Sequence, residues 1–189
     1  MDKHILALCL LMAAAAPALA QKQWQAAATE ASDRAALIQT LKRGKQITAG
    51  GESYRHLPEV SAAEGKAKAG GEVIETKGKL VLYRASAAAS AVVVRAGGSD
   101  VYPTVVNSRT GALGVLTGTL VVRPKSMADA DAIAASHGLQ KSKAYPQLQT
   151  VFYEVKPGAD IADAAAALQA DPRVELAYPE IIEHVRVPK

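Results

Sequence analysis

Residues 119–125 read Thr-Leu-Val-Val-Arg-Pro-Lys, residues 151–158 read Val-Phe-Tyr-Glu-Val-Lys-Pro-Gly, and residues 171–180 read Asp-Pro-Arg-Val-Glu-Leu-Ala-Tyr-Pro-Glu. These are β-rich runs bounded by proline or glycine, and helical patterns lie between them. After the first run, Ser126 offers an N-cap with Asp129 three residues on, a capping box with Asp in place of Glu. Met127, Ala130, Ile133, Ala134 and His137 then share one helical face, and Gly138 supplies a C-cap. Residues 139–145 make a weak strand broken at Pro146, and residues 148–155 a strong one. Asp160 caps a second helix with Ile161, Ala164, Ala165 and Leu168 facing inward; Asp171-Pro172 stops it, and a last strand begins at Val174. The order β-α-β-β-α-β predicts an α+β fold: a ferredoxin-like unit with both helices on one face of an antiparallel sheet. The other face then lacks a cover, which predicts a partner.

Upstream, the pattern changes. Residues 72–76 and 79–84 flank Lys77-Gly78, a hairpin signal. An Ala/Ser stretch covers 85–91, and a short apolar run at 92–95 is closed by Gly97-Gly98. Strands are expected at 102–106 and 112–116 around the turn-rich Asn107-Ser108-Arg109-Thr110-Gly111. Residues 72–116 therefore read as a small β region, and residues 50–71, polar with scattered glycine and one proline, as a linker. Trp24, Ala27, Ala31, Ala35, Ile38 and Leu41 recur at helical steps, so 21–49 is assigned to an amphipathic helix ended by Gly44 and Gly50-Gly51.

Residues 1–20, MDKHILALCLLMAAAAPALA, have a basic start, an apolar run too short to span a bilayer, and a small-x-small cleavage signal at 18–20. A signal peptide cut after Ala20 is expected, and with it a periplasmic or secreted protein. Cys9 is preceded by Leu8, where lipidation needs a small residue. It is the single cysteine of the 189 residues and would leave with the leader. That excludes a disulfide framework and a cysteine-based metal site.

The net charge of +4 is spread along the chain without the clustered basic face of a nucleic-acid binder. The apolar fraction of 49% is heavy in alanine, and aromatics are only 4%, so the core is light. His56, His137 and His184 are too scattered in sequence to pair as metal ligands. No nucleophile elbow, phosphate loop or zinc-protease motif occurs. No enzyme activity, cofactor, metal or membrane span is expected, and the free protein is expected to be a monomer.

The C-terminal motifs resemble the propeptides of subtilisin-family serine proteases over residues 117–189. The part that carries the resemblance best is Asp171-Pro172-Arg173-Val174-Glu175 followed by Ala177-Tyr178-Pro179-Glu180. The resemblance implies a ferredoxin-like fold and a protein that assists a subtilase in folding and then inhibits it. With no protease domain after Lys189, it implies a stand-alone external chaperone acting in trans. Val185, Arg186, Val187, Pro188 and Lys189 would be the inhibitory tail, adding a strand in the substrate cleft, with Lys189 favouring an acidic specificity pocket. Glu180 matches an acidic position that meets the N-termini of protease helices, while Tyr178 stands where the family often has a second acid. Residues 21–116 have no counterpart in the short propeptides. The alternative is a periplasmic interaction module binding a non-protease partner.

Overall fold

The computed structural model describes residues 25, 28–29, 32–65, 71–85, 94–96 and 99–184. The chain divides into two units, Met1–Thr40 and Leu41–Lys189. In the first, residues 32–40 form a helix, α1. The helix predicted across 21–49 therefore ends at Thr40, because Gly44 and the following polar residues hand the chain to a strand. The expected leader lies outside the described residues.

Among the described residues, the second unit is built on one ten-stranded sheet. Its first strands are β1 (Gln46–Ala49), β2 (Glu52–Glu64), β3 (Val73–Lys77), β4 (Leu80–Arg84), β5 (Val94–Ala96), β6 (Ser99–Asn107) and β7 (Leu113–Pro124). There follow helix α2 (Ala130–His137), strands β8 (Gln140–Tyr145) and β9 (Thr150–Glu154), helix α3 (Ile161–Gln169) and strand β10 (Val174–Ile182). The hydrogen-bonded path runs β3-β4-β2-β6-β7-β9-β8, with β1 on β2, β5 on β6 and β10 on β7. All strand pairs are antiparallel.

The C-terminal half matches the expected βαββαβ unit. The order β10-β7-β9-β8 with two helices between its strands is the split βαβ topology. Leu120, Val122, Val151 and Tyr153 point to the helices and meet Ile133, Ile161 and Leu168, all fully buried. Each such side chain contributes about 1.5–3 kcal/mol of hydrophobic stabilisation. The Tyr153 hydroxyl donates to the Ala130 carbonyl at 2.8 Å, so its burial leaves no orphan. Asp160 caps α3 as read, accepting from the Ala162 and Asp163 amides at 2.9 and 3.1 Å. Ser126 caps differently: it accepts from Ala128, and a 3-10 turn at Met127–Asp129 precedes α2. Gly138 ends α2 at φ 62°, the left-handed conformation its position requires.

Two upstream readings change. Residues 52–64, taken as linker, form β2, thirteen residues long and the partner of β1, β4 and β6. The strands expected at 112–116 and in 119–123 are one strand, β7, so a boundary between 116 and 117 falls inside it. One edge of β7 pairs with β6 at 113–115 and with β9 at 119–122, while β10 runs along the other edge. Both halves thus share one core, to which Ile47, Ala49, Tyr54 and Val105 contribute from upstream.

Candidate functional site

Strand alternation defines the candidate surface. Because Leu120 and Val122 face the helices, Thr117, Thr119, Val121 and Arg123 face the opposite side. Register carries that face across the unit: Tyr178 opposes Val121, Val121 opposes Phe152, and Phe152 opposes Lys143. The Tyr145 and Phe152 rings meet edge-to-face, with centroids 5.7 Å apart. Tyr145 is 44% exposed and Leu176 39%, while Val121, Phe152 and Tyr178 are half-buried. Arg123 pairs with Glu175 at 3.7 Å, leaving a surface of apolar centres with charged margins.

Glu180 lies on this face. Its carboxylate Oε2 accepts from the Thr117 hydroxyl at 2.8 Å. That bond engages one carboxylate oxygen, and the second is of a kind that accepts from amide or hydroxyl donors. Thr117 sits where β7 changes partners, and that fork opens a cleft of about 440 Å³ lined by Asp100, Tyr102, Thr119, Glu154 and Lys156 among others. The tail residues Val185, Arg186, Val187, Pro188 and Lys189 lie outside the described residues.

Behind the face, the 171–173 motif acts as a lock. Asp171 accepts from the Arg173 amide at 2.9 Å, from Arg173 Nε at 3.0 Å and Nη2 at 2.6 Å, and contacts His137 Nε2 at 2.9 Å. Arg173 Nη2 also donates to Ser136 at 2.7 Å. The Arg173 guanidinium and amide, then His137, hold the Asp171 carboxyl well below the usual range. The end of α2 is thereby tied to the turn before β10. His137, placed by sequence on the helical face that ends at Gly138, has this carboxylate as its partner.

Sequence reasoning missed a second polar cluster at the far end of β10. Lys77 Nζ donates to Glu75 Oε1 at 2.9 Å and to the Glu183 carbonyl at 2.8 Å. Asn107 Nδ2 donates to Glu183 Oε1 at 3.0 Å. Burial, and then the Glu183 carboxylate, push the Tyr54 hydroxyl up to about 12. No local pattern signals these contacts, since Lys77 and Glu183 are separated by 106 positions. Among the described residues there is no group of three or more side chains able to hold a metal ion, and no helix long and apolar enough to cross a membrane.

These features define a mixed α+β protein in which a split βαβ unit with an open sheet face is extended by an upstream β layer. The chain belongs to the family described as the open reading frame 2 N-terminal domain, whose model matches residues 15–187. No curated protein sequence matches it. Among solved structures, it is similar to a chain of the crystal structure of the Aeromonas sobria serine protease in complex with the chaperone ORF2. That alignment has 23% identity and a TM-score of 0.39, covering 51% of this chain and 99% of that chain.

Proposed function

We propose that this protein is an exported external chaperone that binds a subtilisin-family serine protease in trans, assists its folding and then inhibits it. The observation that carries the reading is the open face of the βαββαβ unit, with Tyr178, Val121 and Phe152 in one row and Glu180 beside them. An apolar row on an uncovered sheet is suited to docking on a folding intermediate, whose helices need a surface to form against. The chaperone of the Aeromonas sobria complex also bears the same open-reading-frame designation as this family.

In this reading Glu180 faces helix N-termini of the protease, where a carboxylate gains about 0.3–1 kcal/mol. Residues 185–189 extend from β10 into the substrate cleft and add a strand to its edge. Main-chain hydrogen bonds give affinity there, and Pro188 lowers the cost of ordering. The protein itself performs no chemistry.

The test is capture from the exporting cell, followed by refolding of the denatured captured protease with and without this protein. Recovered activity should depend on its presence. Deleting 185–189 should abolish inhibition and leave the domain folded, and Phe152→Asp should impair both functions. Capture of a partner that is not a protease would sink the reading in favour of a general interaction module.

A further inference from the structure

We propose that the bulge Thr117-Gly118-Thr119 in β7 is a positioning device: its Thr117 hydroxyl holds the Glu180 carboxylate in one orientation for N–H donors of the partner. This deepens the reading above and rests on it, because an aimed carboxylate matters only if a partner meets it.

The two strands are mismatched at this point. On β10, Glu180 alone lies between Pro179, which opposes Leu120, and Ile181, which opposes Leu116. On β7, Thr117, Gly118 and Thr119 fill the same interval. An irregularity of this kind re-aims a side chain at the expense of ladder pairing. Gly118 makes it possible by taking φ 86°, a conformation that residues with a Cβ rarely adopt. The other edge of the bulge is tied as well. The Val155 amide donates to the Gly118 carbonyl at 3.1 Å, and Thr119 opposes Glu154 on β9. The shape of the bulge is thus held independently of Glu180.

Within it, the Thr117 hydroxyl accepts from the Thr119 amide at 3.3 Å and donates to Glu180 Oε2 at 2.8 Å. A hydroxyl has one proton to give, and with a lone pair turned to the amide that proton is directed at the carboxylate. Glu180 also differs from other half-buried acids. Asp160 meets Lys45 at 3.4 Å, Glu75 meets Lys77 at 2.9 Å and Asp171 meets Arg173 at 2.6 Å. Among the described residues Glu180 pairs with no cation, and its tie is the neutral Thr117 hydroxyl. Shielding a carboxylate is costly unless donors reach it. A charge held in place without a counter-ion points to donors supplied by a second molecule. Restricting its side chain beforehand lowers the ordering cost of that contact.

The experiment uses the full chain with Thr117→Val and Thr117→Ala, which remove the hydroxyl, and Thr117→Ser, which keeps it. Glu180→Ala and the Thr117→Val/Glu180→Ala pair complete a double-mutant cycle. In the free chain, side-chain scalar couplings of Glu180 should show one rotamer in wild type and Thr117→Ser, and averaging in Thr117→Val and Thr117→Ala. A single rotamer kept without the hydroxyl overturns positioning. Against the serine protease captured by the wild-type chain, Thr117→Val should raise Kd about tenfold, while Thr117→Ser binds near wild type. Glu180→Ala should bind at least as weakly as Thr117→Val, and adding Thr117→Val to it should change Kd less than about twofold. An equal loss from Thr117→Val in both backgrounds makes the bulge merely structural and overturns the proposal. Binding by Glu180→Ala as tight as wild type overturns the use of Glu180 and leaves the chaperone reading standing. A wild-type chain that binds no serine protease overturns that reading and the proposal with it.

Discussion

The βαββαβ unit and the β layer before it belong to one sheet and one core, yet they are built by different means. The C-terminal unit relies on local signals: capped helices, alternating strands and the Asp171 lock between neighbours in space. The upstream layer relies on distant partners. Its β2 is paired on both edges, its Lys77 is buried against Glu183, and its Tyr54 and Val105 join the core of the other half. A unit of the first kind can evolve or be recognised as a module, while a layer of the second kind has meaning only around that module.

If the two halves are one cooperative structure, the most damaging change lies in their shared strand. Leu120 is fully buried on β7 between β10 and β9. Leu120→Ala should cost about 2–5 kcal/mol. Hydrogen exchange in β2 and β6 should accelerate together with that in β9. Protection kept in β2 while β9 opens would separate the halves into independent folding units.

The same contrast explains what was legible in sequence. Helix α3 was readable because Asp160, Ile161, Ala165 and Leu168 state its cap and its inner face within nine positions. Strand β2 was not. Ser61, Ala62 and Ala63 are buried in succession, so the strand lacks the alternation of a half-exposed sheet. Pro58 argues against a strand, but it falls where the register with β6 skips between His56 and Ser61, at a bulge that tolerates it. The separate strands expected at 112–116 and from 119 left Thr117-Gly118 between them; Gly118 takes φ 86°, yet the pairing with β10 on both sides carries one strand through. Glu180 could be named from its motif, but its partner Thr117 and the whole Glu183 cluster come from pairings that no local pattern encodes.

Caps give a smaller effect and a finer contrast. Asp160 satisfies two α3 amides and also pairs with Lys45, which precedes β1, at 3.4 Å. Asp160→Ala should therefore cost about 1 kcal/mol from the cap, with little more from an exposed ion pair. Ser126→Ala removes one longer bond of 3.3 Å and should cost about half as much. Denaturant midpoints at neutral pH measure both. Equal losses would mean that the second amide bond of Asp160, from Asp163, adds nothing to the cap.

Acid separates the halves most gently, because each contains a group that resists protonation over its own range. In the C-terminal unit, the Arg173 guanidinium beside Asp171 depresses its carboxyl. Its stabilisation is complete above the ordinary aspartate value near 4 and is lost as the pH falls below it. In the upstream layer, His56 is 4% exposed and its Nε2 has no partner among the described residues. Burial lowers its pKa, with Asp160 opposing and Lys45 assisting. The unfolded chain then takes up this proton first, so stability is complete above about 6.5 and declines as the pH falls towards the folded value. The wild-type denaturation midpoint should fall in two stages, one beginning near pH 6.5 and one near pH 4. His56→Leu keeps the backbone bonds to Gly44 and Lys45 and should remove the first stage alone. A first stage that survives the substitution would assign it to another group and remove His56 as the acid-sensitive point of the upstream layer.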